Sequence, residues 1–211
     1  MIGAPTQKDG RSKERNERSA KMLVLETDRI LLRHWRKSDL QPFAALNSDA
    51  RVMEFFPSTL NFDQSKAMVE RIEAGFVRDQ FGLWAAEFKE TKTFIGFVGL
   101  NRPTFVADFT PCVEIGWRIA GEFWGKGLAP EAASEVLRDG FERLNLNEIV
   151  SFTAVLNQKS IRVMEKIGMK HSAFDNFLHP ALAESHPLKP HVLYKINKTS
   201  WSANQARINA V

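Results

Sequence analysis

The sequence has little of what a secreted or membrane-spanning protein needs. Its 211 residues include one cysteine, Cys112, so no disulfide can form within the chain. A lone cysteine suits a reducing compartment, and we expect a cytoplasmic protein. The longest apolar runs, such as residues 94–100, are far shorter than the roughly 20 residues that cross a bilayer as a helix. We therefore expect no membrane partner and no secretory leader.

The residues after position 21 also have almost no excess of positive over negative charge. The net charge is +4, and residues 1–21 account for +3 of it. The charged residues there are Lys8, Arg11, Lys13, Arg15, Arg18 and Lys21 against Asp9, Glu14 and Glu17. The rest of the chain is nearly neutral, so nucleic-acid binding is disfavoured. Salt-dependent retention of DNA or RNA that is lost on removal of residues 1–21 would indicate it after all.

The length and composition predict one folded domain with two polar ends. Residues 1–21 lack aromatic residues and large apolar clusters, which predicts a disordered basic tail. With 44% hydrophobic residues the chain can bury a substantial core but is short for two domains. We place the single domain at residues 22–199 and a polar C-terminal tail at residues 200–211.

The most informative stretch covers residues 113–132. Apolar residues alternate with others at its start, which predicts a strand with Glu114, Gly116 and Arg118 on one face. A glycine-rich turn follows at residues 121–127, and a helical pattern begins near Gly125. Backbone N–H groups at such a helix start have no intrahelical partner, and the helix dipole favours an anion there. The stretch therefore predicts a phosphate or pyrophosphate site.

Two common phosphate-binding motifs do not fit this turn. A Walker loop requires four residues before Gly-Lys and a hydroxyl after it, whereas only three residues separate Gly121 from Gly125, and Gly127 follows Lys126. A dinucleotide fingerprint requires a third glycine where this chain has Pro130.

A second motif begins at Asn157, where a predicted strand leads into a helix. Asn157 is a natural N-cap, Ser160 lies three residues further on, and Gly168 is a natural helix terminator. By itself this pattern favours a well-capped amphipathic helix. Its position after the glycine turn is what makes it a candidate part of the same binding site.

The remaining periodicity predicts the element order β-α-α-β-β-β-α-β-α-β. The predicted elements lie at residues 23–35 (a strand or hairpin), 38–46 (a helix capped by Ser38 and Asp39), 61–76 (a helix that starts at Asn61 or Asp63), 81–88, 93–100, 113–119, 125–144, 148–156, 157–167 and 192–196.

Together these features resemble the GNAT superfamily of acetyl-CoA-dependent N-acetyltransferases. That family carries Gln/Arg-x-x-Gly-x-Gly/Ala at a strand–turn–helix junction; here Gly125 and Gly127 match the glycines, and Glu122 stands at the first position. The string EFWGKGLAPEA at residues 122–132 looks like the branch that acetylates the N-termini of ribosomal proteins. The resemblance covers residues 23–196 and implies an α/β (α+β) fold, with a mixed central sheet flanked by helices on both faces.

The resemblance also implies acetyl-CoA as co-substrate and a set of residues that bind it. Trp117, Arg118 and Ile119 would bind it through backbone groups of the strand. The other residues of the set are Trp124, Gly125, Lys126, Gly127, Leu128, Ala129, Asn157 and Arg162. Ser160 would lie near the sulfur. Many relatives protonate the leaving thiolate with a tyrosine, but the only tyrosine here, Tyr194, lies in the last predicted strand. Ser160 is therefore the best replacement.

The chemistry of acetyl transfer points to a base and an acceptor channel. Glu114 is placed to take a proton from the amine, directly or through water, although a surface strand glutamate is an equally good interpretation. Phe55 and Phe56, together with Glu114, are the candidate acceptor-binding residues. His179, His186 and His191 fit no zinc spacing, so we expect no metal.

The sequence thus predicts an N-acetyltransferase in which a primary amine attacks acetyl-CoA directly in a ternary complex. The acceptor is a peptide N-terminus or a small molecule, and the protein is a monomer or homodimer. The alternative is a non-catalytic acyl-CoA-binding or regulatory module on the same fold, which would be favoured if Glu114 and Ser160 prove dispensable.

Overall fold

The computed structural model describes residues 23–208, and the predicted tail at residues 1–21 lies outside them. In this part of the chain nine strands form one mixed sheet, in the order β1-β2-β3-β4-β5-β6-β9-β7 with β8 on β9. The strands are β1 Leu25–Glu26, β2 Ile30–Arg33, β3 Leu83–Phe88, β4 Thr93–Asn101, β5 Glu114–Ile119, β6 Glu148–Ala154, β7 Lys170–His171, β8 Phe177–Leu178 and β9 Pro190–Asn197. This is the mixed α/β architecture that the sequence predicts.

Residues 23–208 also form five α-helices. They are α1 Leu40–Ser48, α2 Phe62–Asp79, α3 Leu128–Glu142, α4 Gln158–Lys166 and α5 Lys198–Ile208. Phe97 and Val98 are neighbours on β4, so their side chains point to opposite faces of the sheet. Phe97 packs with residues of α1 and α2, whereas Val98 packs in the cluster that includes the buried face of α3. Among residues 23–208, no helix combines the length and the apolarity that a bilayer crossing requires.

Local sequence signals explain where the second helix begins. Asn61 accepts a hydrogen bond from the backbone N–H of Gln64 at 2.9 Å, and the Gln64 side chain accepts one from the backbone N–H of Asn61 at 2.9 Å. This reciprocal pair is a capping box, and it confirms Asn61 as the start.

The predicted cap of the first helix is wrong in its detail. A 3-10 turn, Lys37–Asp39, precedes α1 at the predicted position, but Asp39 makes no side-chain capping bond to the helix. Its carboxylate instead accepts hydrogen bonds from Arg33 at 2.7 and 2.9 Å. Asp39 is 2% exposed, and its carboxylate also accepts from the backbone N–H of Arg36 at 2.7 Å, so it caps the 3-10 turn before α1 rather than α1 itself.

The important feature for function is the junction of β5 and β6. These two strands are parallel, and they pair only where Glu114 meets Val150. All other strand pairs in the described sheet are antiparallel. Beyond Glu114 and Val150 the two strands separate, so the backbone of β5 on that side is left for another partner.

The C-terminal end differs from a polar tail. The predicted boundary at residue 199 falls inside α5, and Trp201 of this helix is buried, with its ring centroid 5.3 Å from that of Phe141 on α3. The described side chains of residues 198–207 place one large apolar residue, Trp201, in the core, and a single such residue is too weak a pattern to detect from periodicity.

Candidate active site

A large pocket opens where β5 and β6 separate, with a volume of about 740 Å³. Its walls come from the residues after α1, from β4, β5 and β6, from the glycine turn, from α4 and from residues 179–191. It brings together almost every predicted site residue: Phe55, Phe56, Glu114, Trp117, Arg118, Ile119, Trp124, Gly125, Gly127, Leu128, Ala129, Asn157, Ser160 and Arg162. Lys126 does not line it.

The glycine turn has the backbone shape that an anion site requires. Gly125 and Gly127 have φ values of +75° and +77°, which glycine adopts at no steric cost. Gly127 is the N-cap of α3 and no side chain caps this helix, so the first N–H groups of α3 are left for a ligand. A side chain on Gly125 would meet no other group within 4 Å, which leaves open space beside the turn. The turn therefore fits the pyrophosphate of acetyl-CoA.

Two contacts hold the turn in place. The Trp124 indole N–H donates to the carbonyl of Ile119 at 2.7 Å, which ties the turn to the end of β5. The Arg29 guanidinium donates to the carbonyl of Lys126 at 3.0 Å and forms an ion pair with Glu131 at 2.5 Å. Arg29 was missed by sequence reasoning, because it lies almost 100 residues before the turn and no local pattern marks it.

Cations surround the same end of the pocket. The Lys159 ammonium lies 4.1 Å from the centre of the Trp124 ring, and Lys159 and Arg162 both line the pocket. The Lys126 ammonium lies over the Phe123 ring at 4.9 Å. A role of Lys126 or Arg162 toward a CoA phosphate stays a prediction.

Ser160 lies in the opposite wall, at the start of α4. Its hydroxyl oxygen accepts a hydrogen bond from the Trp117 indole N–H at 3.2 Å, so its own O–H proton remains to be donated elsewhere. Asn157 caps α4 by accepting from the backbone N–H of Ser160 at 3.1 Å, and its amide N–H donates to Thr153 at 3.0 Å. The capping interpretation of Asn157 is thus realised, with one amide proton left for a ligand.

Glu114 lies at the point where β5 and β6 part. It is half-buried, and burial raises the pKa of its carboxyl to about 8, which a hydrogen bond from the Asn101 side chain lowers only in part. The carboxyl is therefore largely protonated at neutral pH and becomes a base as the pH approaches 8. Among the described residues that line the pocket, Glu114 is the only acid.

Arg118 is a buried cation on the same face of β5 as Glu114. Only 7% of it is exposed, and burial lowers its pKa to about 10. It donates to Asn47 at 2.5 Å and lies 4.2 Å from the centre of the Phe56 ring. The sequence suggested only a backbone role for Arg118, because alternation alone shows a face and not what covers it.

The two histidines in the pocket have defined tautomers. His191 donates from Nδ1 to the carbonyl of Lys189 at 3.1 Å, whereas Nδ1 of His179 accepts from the backbone N–H of Ala181 at 3.3 Å. Burial lowers the pKa of both rings, so both are mainly neutral at pH 7. Within residues 23–208 no three metal-binding side chains converge, and Tyr194 lies outside the pocket, hydrogen-bonded to Glu165 at 3.4 Å.

Comparison with known proteins agrees with this geometry. A family model described as an acetyltransferase (GNAT) domain matches residues 29–170. The uncharacterized N-acetyltransferase YoaA of Bacillus subtilis is 29% identical over 149 residues, which cover 70% of this chain and 82% of YoaA.

Two solved structures share the fold at low sequence identity. Ribosomal-protein-S5-alanine acetyltransferase from Vibrio fischeri superposes with a TM-score of 0.67 at 17% identity, over 85% of this chain and 98% of that one. Spermidine N-acetyltransferase from Vibrio cholerae, in complex with CoA and spermine, gives 0.65 at 21% identity, over 83% and 99%. With the family model spanning most of the sheet and the glycine turn, the chain belongs to the GNAT acetyltransferase family and is an acyltransferase.

Proposed function

We propose that the chain is a cytoplasmic, acetyl-CoA-dependent N-acetyltransferase, active as a monomer or homodimer, that acetylates a primary amine. One observation carries the proposal: a single pocket runs from the glycine turn at α3, past Ser160, to the protonatable carboxyl of Glu114. Acetyl-CoA and the amine would occupy this pocket together, so that the amine attacks the thioester directly in a ternary complex.

The residues of the turn fit the cofactor end of that complex. Gly125, Gly127, Leu128 and Ala129 would bind the pyrophosphate through backbone N–H groups, while backbone groups of residues 117–119 face the gap that β6 leaves open. When bound, acetyl-CoA supplies an acetyl group already activated as a thioester.

Two side chains would then handle the protons. Glu114 accepts the proton of the incoming ammonium, since a carboxylate with a pKa of about 8 is matched to an α-amine with a pKa of about 7.7–8.0. Ser160 donates a hydrogen bond to the departing thiolate, because its oxygen already accepts from Trp117.

The acceptor would enter on the side of Phe55 and Phe56. An α-amine at a protein N-terminus or a small-molecule amine both suit this pocket, and the structural likeness to a spermidine N-acetyltransferase supports an amine acceptor.

The test is release of CoA from acetyl-CoA in the presence of N-terminal peptides and small amines, with the product identified by mass spectrometry. We expect at least one amine to raise CoA release well above hydrolysis and to gain one acetyl group. Tight binding of acetyl-CoA by calorimetry without acetylation of any amine in the panel would instead favour the non-catalytic module.

A further inference from the structure

Arg118 is a buried positive charge without a compensating carboxylate. Within the described residues its side chain forms no ion pair, and its Nε–H, which is shielded from solvent, has no hydrogen-bond partner. Its one hydrogen bond goes to the neutral amide of Asn47. Leaving a buried donor unpaired is energetically costly, and more so when the group is charged.

Another buried arginine shows how this fold compensates such a charge. Arg33 is 5% exposed and forms ion pairs with Asp39 at 2.7 Å and with Glu87 at 2.8 Å. Arg33 does not line the pocket, whereas Arg118 does. The unpaired cation is therefore the one that faces the ligand space.

The position of Arg118 places it on the acceptor side. Glu114, Gly116 and Arg118 share one face of β5, opposite to Trp117 and its contact with Ser160. The guanidinium contacts Phe56, a candidate acceptor-binding residue. Gly116 leaves the floor between the two charged residues open, since an added Cβ would meet nothing closer than the Glu114 carboxyl at 3.9 Å.

We propose that Arg118 binds a carboxylate of the acceptor, so that the substrate is a primary amine that also carries a carboxylate. The amine would lie at Glu114 and the carboxylate at Arg118. The two residues are four positions apart along the strand, which is about 13 Å between their Cα atoms. An apolar spacer between the two groups fits the rings of Phe56 and Phe97, both in contact with the guanidinium. This inference rests on the proposed function.

If Arg118 only held the loop after α1 in place, its variants would affect charged and uncharged acceptors alike. The hydrogen bond to Asn47 is part of that packing, so an Asn47→Ala variant disturbs the packing while keeping the charge. The charge itself is needed only if an anion binds, and Arg118→Lys keeps the charge but not the planar fork of N–H donors.

The test measures kcat/KM for two series of acceptors. The first series compares ω-amino carboxylates of increasing length with primary alkylamines of matched length. The second compares peptides that have aspartate next to the N-terminus with peptides that have asparagine there. The two series distinguish a small molecule from a peptide as the source of the carboxylate. We expect the wild type to prefer the carboxylated member of one series by roughly 10- to 100-fold in kcat/KM, as for a hydrogen-bonded charge pair. Arg118→Gln should abolish that preference, measured as the ratio of kcat/KM for each carboxylated acceptor to that for its matched uncharged acceptor. Arg118→Lys should restore part of this ratio.

Other outcomes are equally decisive. The proposal is overturned if the wild type uses charged and uncharged acceptors equally, or if Arg118→Gln keeps the preference of the wild type. It is also overturned if Arg118→Gln and Asn47→Ala both lose activity equally toward all acceptors. Calorimetric binding of the same compounds to the protein with CoA separates the two proposals. Carboxylate-dependent binding lost in Arg118→Gln, without any acetyl transfer, would refute the proposed function and sustain this one.

Discussion

Glu114 and Ser160 lie in two walls of one pocket, and their surroundings differ in a way that suits two proton transfers. The Glu114 carboxyl is desolvated and holds its proton until about pH 8. The Ser160 hydroxyl oxygen already accepts a hydrogen bond from Trp117, which leaves its proton to be donated to another acceptor. Each of these surroundings leads to a separate prediction.

For Glu114 we expect a pH-rate profile that a glutamine abolishes. With an acceptor amine whose own pKa lies below 6, kcat/KM of the wild type should rise up to about pH 8, as the carboxyl becomes a base. Glu114→Gln should lower kcat/KM, and the loss should be smaller at high pH with ordinary amines, because a free amine needs no base. Glu90→Gln, an exposed glutamate in the turn after β3, is the control. A wild-type profile in Glu114→Gln would mean that water is the base.

For Ser160 we expect an effect on kcat rather than on affinity. Ser160→Ala should lower kcat, by up to roughly 10²–10⁴-fold if the hydroxyl donates a proton in the transition state. The affinity for acetyl-CoA should change little by calorimetry, because Asn157 still caps α4 through the backbone. Ser200→Ala, at an exposed serine of α5, serves as the control. A loss of only a few-fold would reduce Ser160 to a residue of the helix start.

At the scale of elements, the turn before α3 depends on two glycines with positive φ and on the Arg29–Glu131 pair that braces it. We expect Gly127→Asp to abolish acetyl-CoA binding while the fold is kept, since the aspartate adds a clash and a like charge where the pyrophosphate would lie. Gly127→Asn has nearly the same shape, tolerates a positive φ and carries no charge, so it should lose less. Unchanged calorimetric affinity in Gly127→Asp would exclude this site.

Helix α5 packs on the rest of the fold through Trp201. Trp201 is 7% exposed and packs on Phe141. Trp201→Ala should destabilise the protein by roughly 3–5 kcal/mol, as for a large aromatic residue removed from a core. Val77→Ala, at a residue that is 65% exposed in α2, should change the free energy of unfolding by less than about 0.5 kcal/mol. Urea unfolding measures both, and equal stability of the two variants would show that α5 is dispensable for the fold.

At the scale of the whole molecule, the buried carboxyl of Glu114 couples stability to pH. Its pKa is about 8 in the folded state against an ordinary value of 4.5, so the folded state binds the proton more tightly. The stabilisation is complete below pH 4.5 and is lost as the pH rises to about 8. Between pH 5 and pH 8.5, Glu114→Gln should therefore gain roughly 2–4 kcal/mol of stability relative to the wild type, because each pKa unit is about 1.4 kcal/mol. A pH-independent difference in urea unfolding would contradict this.

The sequence by itself was sufficient to predict most of the elements and the position of the glycine turn. Alternation marked β5, the glycines marked the turn, and Asn61 and Asn157 marked two helix starts, because each of these signals is local in the chain. The pattern of elements and motifs was sufficient to predict the mixed sheet and the family.

Only the tertiary structure decided what surrounds each side chain. Arg29 reaches the turn from almost 100 residues away, Asn47 and Phe56 enclose Arg118, and Trp201 enters the core from a polar segment. The separation of β5 and β6 brings Glu114 and Ser160 to one pocket and sets the pKa of the carboxyl. Burial and long-range contacts depend on how the elements pack, so no local pattern in the sequence could reveal them.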